Sequence, residues 1–351
     1  MRIFRTSAVL CCVLAVALAL SARSPDDTEL TPEDRRRIIQ EQERRWNLNP
    51  EDLPMRTIDV LRNDTELQVL DTESFTILPG QTTELVLKSG TRITIPKGSF
   101  KVPAGGDVRA EVVELRKPRD FAFAGIPTNI TVNGAPAILE SAGMVRLRFL
   151  WNTTEAILNS SARLRLEMEP TAYGSFNVYR REGSGEWELK GKAEERQPNP
   201  DCQAPSGSEC PALSTLIFDQ IDRSGWWNFD EPKTEFTCIT GTLSRPSADL
   251  RAVGVYRNWS SMGMVDSAQS NRFKINVMRN EHSKVIAVEG KDKNVWLGTL
   301  PAFVTQDKIT HTKYNNGKDC QEIGEVEMKP VSRKILQDKE SFLKAIQWEG
   351  Q

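Results

Sequence analysis

Residues 225–238 read GWWNFDEPKTEFTC and set Trp226, Trp227 and Phe229 beside Asn228 and Asp230. Indole rings that stack on sugar faces, flanked by amide and carboxylate groups that bond hydroxyls, are the chemistry of a carbohydrate platform. The same residue types make a packed seam between two β domains, with Asn228 and Asp230 capping turns. Successive residues of an extended chain face opposite ways, so Trp226 and Trp227 do not share a platform. The expectation is therefore a seam, one ring docked against each domain, each buried aromatic stabilising the contact by ~2–3 kcal/mol. Sugar binding through Trp226, Trp227 and Trp259 is the alternative.

Other candidate chemistry is thin. A nucleophile needs a base, and the chain has two histidines, His282 and His311, neither in a Gly-x-Ser-x-Gly or His-Glu-x-x-His setting. The acid pair of NFDEP, residues 228–232, has the residue types of a glycosidase and no other mark of one. DRSGWWNFD lacks the alternating oxygen spacing of a calcium loop. VPAGGDV, residues 102–108, has two glycines but no following helix or lysine to cradle a phosphate. No catalytic, metal or cofactor set is assigned, and the chain is read as a non-enzyme without a cofactor.

Of six cysteines, Cys11 and Cys12 sit in a greasy N-terminal run. That run, AVLCCVLAVALALSA at 8–22, follows a basic start and precedes polar sequence, the pattern of a signal peptide at 1–22. Export leaves Cys202, Cys210, Cys238 and Cys320, an even set that reads as disulfides. Four cysteines allow three pairings; the flexible loop QAPSGSE favours Cys202–Cys210, with Cys238–Cys320 as the second bridge. The 46 basic and 48 acidic residues are well mixed, which gives no electrostatic reason to invoke nucleic acid. No apolar run after the signal is long enough to span a bilayer. Five Asn-x-Ser/Thr sites, at Asn63, Asn129, Asn152, Asn159 and Asn258, would be surface acceptors in a eukaryotic secretory route and idle in a bacterium.

The elements that must position these residues are strands. Residues 23–65 form a charged linker with a short helix opened by Thr31 and Pro32. From Glu66 the pattern has period two: VRLRF turns Val145, Leu147 and Phe149 inward and Arg146 and Arg148 outward, and ARLRLEMEP repeats it with Leu164, Leu166 and Met168. Short strands with Gly, Pro and Asn punctuation predict an all-β chain of two β-sandwich domains in tandem. The first spans 66–200, closed by a hairpin over GSG with Trp187 on its return strand. A loop and seam fill 201–235, the second sandwich spans 236–330, and one amphipathic helix built on Ile335, Phe342, Leu343 and Ile346 occupies 331–351.

SGTRITIPKGSF, VRAEVVEL, the IPT segment at 126–128 and ESAGM at 140–144 resemble a ZU5-like region of exported bacterial proteins. TCITGTL, VGVYRNW, RFKINVM and CQEIGEVEMKP are similar to the carboxypeptidase regulatory-like, transthyretin-like (Ig-like) sandwich. Some ZU5 regions cut themselves at His-Phe-Ser; neither histidine here lies in such a sequence, so self-cleavage is not expected. The resemblance implies a fold and a place outside the cytoplasm (periplasm, cell surface or extracellular space), not a reaction. The functional expectation is a non-catalytic structural or interaction protein with a protein or carbohydrate partner. A carbohydrate-binding module and an accessory or inhibitor of an extracytoplasmic hydrolase are the alternatives.

Overall fold

Alternating residues give each strand one apolar face, and such faces must be covered. The computed structural model describes residues 70–350 except 103–105, 133, 172–173, 183–185, 197–213, 246–248, 268–269, 292–293 and 311–318. The expected signal peptide, the linker helix, Cys202, Cys210 and His311 lie outside the described residues. Strands make up most of what is described, and the chain is all-β.

The first block runs through β1 (Thr72–Ile77), β2 (Thr83–Val86), β3 (Arg92–Ile95), β4 (Val108–Leu115), β5 (Asn129–Val132), β6 (Ala135–Trp151) and β7 (Thr154–Glu155). It continues through β8 (Leu164–Met168), β9 (Asn177–Arg181), β10 (Glu188–Lys192), β11 (Glu194–Arg196), β12 (Thr215–Ile221) and β13 (Gly225–Lys233). One sheet has the order β1-β4-β6-β13-β9-β10, with β5 and β7 also on β6; the other is β11-β12-β8-β3-β2. Val145, Leu147 and Phe149 from the first sheet meet Leu164, Leu166 and Met168 from the second in one core. Inward alternation in VRLRF and ARLRLEMEP is thus what closes this sandwich.

The expected loop and seam at 201–235 is corrected over its described part, 214–235: β12 and β13 are strands of the first sandwich, which runs to Lys233. β13 is a central strand, paired antiparallel with β6 on one side and β9 on the other. Its continuous buried run, Trp226 to Asp230, suits a position covered on both faces. The outer face of its sheet is covered by α1 (Pro118–Ala124), which brings Phe121 against Leu115, Met144, Tyr179, Trp187 and Trp226. Pro118 opens that helix, and Gly125 ends it in the left-handed region at φ 60°.

The second block comprises β14 (Phe236–Leu243), β15 (Asp249–Gly254), β16 (Ser260–Ser267), β17 (Ser270–Met278), β18 (His282–Lys291), β19 (Asn294–Thr299), β20 (Phe303–Val304), β21 (Gln321–Val326) and β22 (Lys329–Val331). β16 is the corner. Its residues 260–263 pair with β15 and its residues 264–267 pair with β17. The strand order β21-β14-β17-β16-β15-β18-β19-β22 therefore folds over at β16 around Ile239, Leu250, Trp259, Phe273, Ile275, Val285 and Val326. Gly263 stands at the turn-over point, where a Cβ would lie 2.2 Å from Ile275 Cγ1.

The single C-terminal helix is also corrected. The tail forms two short helices, α2 (Arg333–Gln337) and α3 (Lys339–Ala345). Asp338 breaks them: its backbone is extended and its carboxylate accepts from Ser341 N at 2.8 Å, capping α3. Phe342, Leu343 and Ile346 pack with Val253, Ile286 and Val288 of the second sandwich and with Ala122 and Phe123 of α1.

Candidate functional site

Alternation along β13 sends its residues to two cores. Trp227 and Phe229 fill the first sandwich, with the Trp227 ring 5.9 Å from Phe218 and its Nε1 donating to Arg223 O at 3.2 Å. Trp226 faces the other way, under the Arg146 guanidinium 5.5 Å from its ring. Trp259 is a third case, wholly buried in the core of the second sandwich. The three indoles thus sit in three separate cores. Trp227 and Trp259 are 0% exposed and Trp226 is 7% exposed, so no ring is presented to a sugar. The expected seam is displaced as well: both faces of β13 are covered from within its own sandwich.

Asn228 and Asp230 cap no turn. Both are in mid-strand and fully buried, on the face opposite Trp227. A bulge between Phe229 and Asp230 sets Asp230 directly across from Ser141 of β6. Gly143 sits in that irregular stretch at φ 154°, with the Met168 methyl 2.1 Å from where a Cβ would be. Ser141 Oγ donates to Asn228 Oδ1 at 2.5 Å and accepts from Gly143 N at 3.1 Å. Neither Asp230 oxygen nor Asn228 Nδ2 closes a hydrogen bond among the described residues. Burial holds the Asp230 carboxyl well above the ordinary carboxylate range. The polar side chains of Ser141 and Asn228 beside it pull the other way, and the charge of Glu140 adds to the rise.

Cys238 and Cys320 are joined, bridging β14 to the residue before β21. His282 is exposed and stacks edge-on with Tyr256 at 5.3 Å. Lys284 is 0% exposed; its Nζ donates to Leu300 O at 3.0 Å, and burial lowers its pKa. None of these groups converges with another into a catalytic set. Among the described residues no three His, Cys, Asp or Glu side chains gather where they could hold a metal ion. A cleft of about 230 Å³ opens between β10 and β12 and is lined by Lys190, Lys192, Glu194, Phe218 and Asp219. That falls below the ~300–1,000 Å³ of an ordinary small-molecule site.

The true junction of the two sandwiches was not singled out by sequence reasoning. The turn at Arg257 and Asn258 enters the first sandwich beside β6. Asn258 Nδ2 donates to Arg116 O at 2.9 Å and Thr171 Oγ1 at 2.7 Å, and Asn258 O accepts from Ser141 N at 2.9 Å. Thr128 N donates to Ser260 O at 2.7 Å, and Asn129 Oδ1 accepts from Met262 N at 3.0 Å. Arg257 grips the Glu140 carboxylate with two nitrogens, while Lys233 lies 3.5 Å from the same group. A signal was present: the IPT and ESAGM segments supply Thr128, Glu140 and Ser141, and VGVYRNW supplies Arg257 and Asn258. Asn258 is consequently no surface acceptor, although it begins an Asn-x-Ser site. Asn152, by contrast, is exposed in a left-handed turn at φ 55°.

Comparison of the chain with protein-family models, with curated proteins and with solved structures returns no match.

Proposed function

We propose that this chain is an exported, non-catalytic protein whose two β-sandwiches act as one rigid unit in adhesion, scaffolding or envelope-associated binding. The ZU5-like and regulatory-like resemblance is part of that reading. The observation that carries it is the junction. A buried asparagine, paired backbone bonds and a two-pronged Arg257–Glu140 pair fasten the sandwiches, and the aromatic residues go into cores instead of a ligand surface. Such a design invests its sequence in shape and leaves recognition to outer faces and edges. The carbohydrate reading loses the three indoles that were to carry it.

A second reading has one observation in its favour. β1 ends its sheet with six residues in unbroken register, carrying neither proline nor bulge. An accessory protein or inhibitor that adds a partner strand uses an edge of this kind.

The test uses the secreted, oxidised chain. N-terminal sequencing should start within a few residues of Arg23. A glycan and peptidoglycan panel should give no saturable binding that changes tryptophan fluorescence. Site-specific photo-crosslinkers on β1 and on the far edge at β21 should each be asked for a protein adduct in the native envelope. Adducts at β1 alone favour the accessory reading; saturable glycan binding overturns both.

A further inference from the structure

The Ser141, Asn228 and Asp230 group is used by nothing described so far. A hydroxyl is pressed against a carboxamide, 2.5 Å from Oγ to Oδ1, with both residues 0% exposed. A carboxyl stands across the strand pair from that hydroxyl, itself 0% exposed and with no hydrogen bond closed by either oxygen. The carboxamide nitrogen closes no well-formed hydrogen bond among the described residues either, and the Asp230 carboxyl lies within its reach. Folded proteins rarely leave three buried polar atoms unpaired within one small cluster. This arrangement is, however, what an acyl transfer needs: a nucleophile, an acyl group, an unencumbered leaving nitrogen and an acid–base group in a dry site.

We propose that Ser141 and Asn228 become joined by an intramolecular ester between β6 and β13, with Asp230 as the proton carrier. Ser141 Oγ forms a bond to Asn228 Cγ, the Cγ–Nδ2 bond breaks, and the nitrogen leaves as ammonia. One proton passes, net, from Oγ to that ammonia by way of Asp230. A neutral Asp230 carboxyl gives a proton to the amide from its hydroxyl and takes the serine proton on its other oxygen, and so returns unchanged. Burial supports this role by raising the pKa of the Asp230 carboxyl, which favours its neutral form. The reaction removes the orphaned Nδ2 and needs no oxidant, metal or cofactor. It would covalently link two neighbouring strands of the sheet that reaches the junction.

The experiment is the intact mass of the full secreted chain with its disulfides in place. The expected result is a mass lower than the sequence requires by about 17 Da, the ammonia lost in acyl transfer. Protease digestion should yield one species in which the Ser141 peptide is joined to the Asn228 peptide, separable by hydroxylamine after unfolding. Ser141→Ala and Asp230→Asn should each restore the full mass. An unchanged mass in the wild-type chain overturns the proposal outright. A loss that persists in Ser141→Ala also overturns it, since it reports ring closure of Asn228 onto its own backbone.

Discussion

Asp230 shows how one side chain's charge state is set by where its strand lies. A carboxyl whose folded pKa is raised binds a proton that the unfolded chain releases near pH 4, so stability falls as pH rises from there towards the folded value. Asp230→Asn removes that dependence. Urea titrations of the two chains between pH 4 and pH 8 should show the wild type losing stability relative to the variant as pH rises. Parallel profiles would mean that the carboxyl is not the buried acid described above. The sequence made half of this legible. Alternation correctly separates Trp226 from Trp227, because it follows from backbone geometry alone. It does not tell whether the polar residues between the rings meet water. A central strand buries Asn228 and Asp230 because β6 and β9 flank it, and neither neighbour is visible within residues 225–238.

Strands were readable as elements because period-two runs survive in every local window. The helices were not, because α1 has seven residues and takes its stability from the sheet it covers. The tail reads as one amphipathic helix because Ile335, Phe342 and Ile346 keep helical spacing across Asp338, and spacing is blind to an extended residue between two turns. Corners are harder still. β16 leaves one layer for the other with no change in its pattern, and only Gly263 marks the place. Gly263→Ala puts a methyl into Ile275 and should lower stability by about 1–3 kcal/mol, read from denaturant midpoints. Asp338→Ala should cost about 1 kcal/mol through the lost α3 cap, and a null effect would show that packing of Phe342 alone sets that helix.

At the scale of the molecule, two features fix the whole. The Cys238–Cys320 bridge closes a span of 82 residues within the second sandwich. Its reduction should lower stability by about 2–4 kcal/mol, with Trp259 fluorescence as the local probe because that ring lies in the affected core. The junction is the other feature. Arg257→Ala leaves Glu140 with Lys233 alone at 3.5 Å and should cost about 2 kcal/mol, less than a wholly abandoned buried charge. An Arg257→Ala, Glu140→Gln double-mutant cycle measures the coupling, and a value near zero would mean that the backbone bonds around Asn258 hold the sandwiches unaided. Two sandwiches in order were legible from strand spacing. Their mode of attachment was not, because it joins residues 87 or more positions apart.

The burial of Asn258 also bears on how the protein can be made. A secretory route that glycosylates asparagine meets the chain before it folds, when Asn258-Trp259-Ser260 is as accessible as any other acceptor. A glycan attached there would occupy the space that Arg116 and Thr171 need, and the two halves would fold without docking. Asn152, out on its turn, would carry the same sugar harmlessly. A glycosylating host would then yield a mixture, and its fraction of open molecules would rise with the occupancy of Asn258. A bacterial host would give a single population, and Ser260→Ala would remove the Asn258 share while keeping the amide that holds the junction.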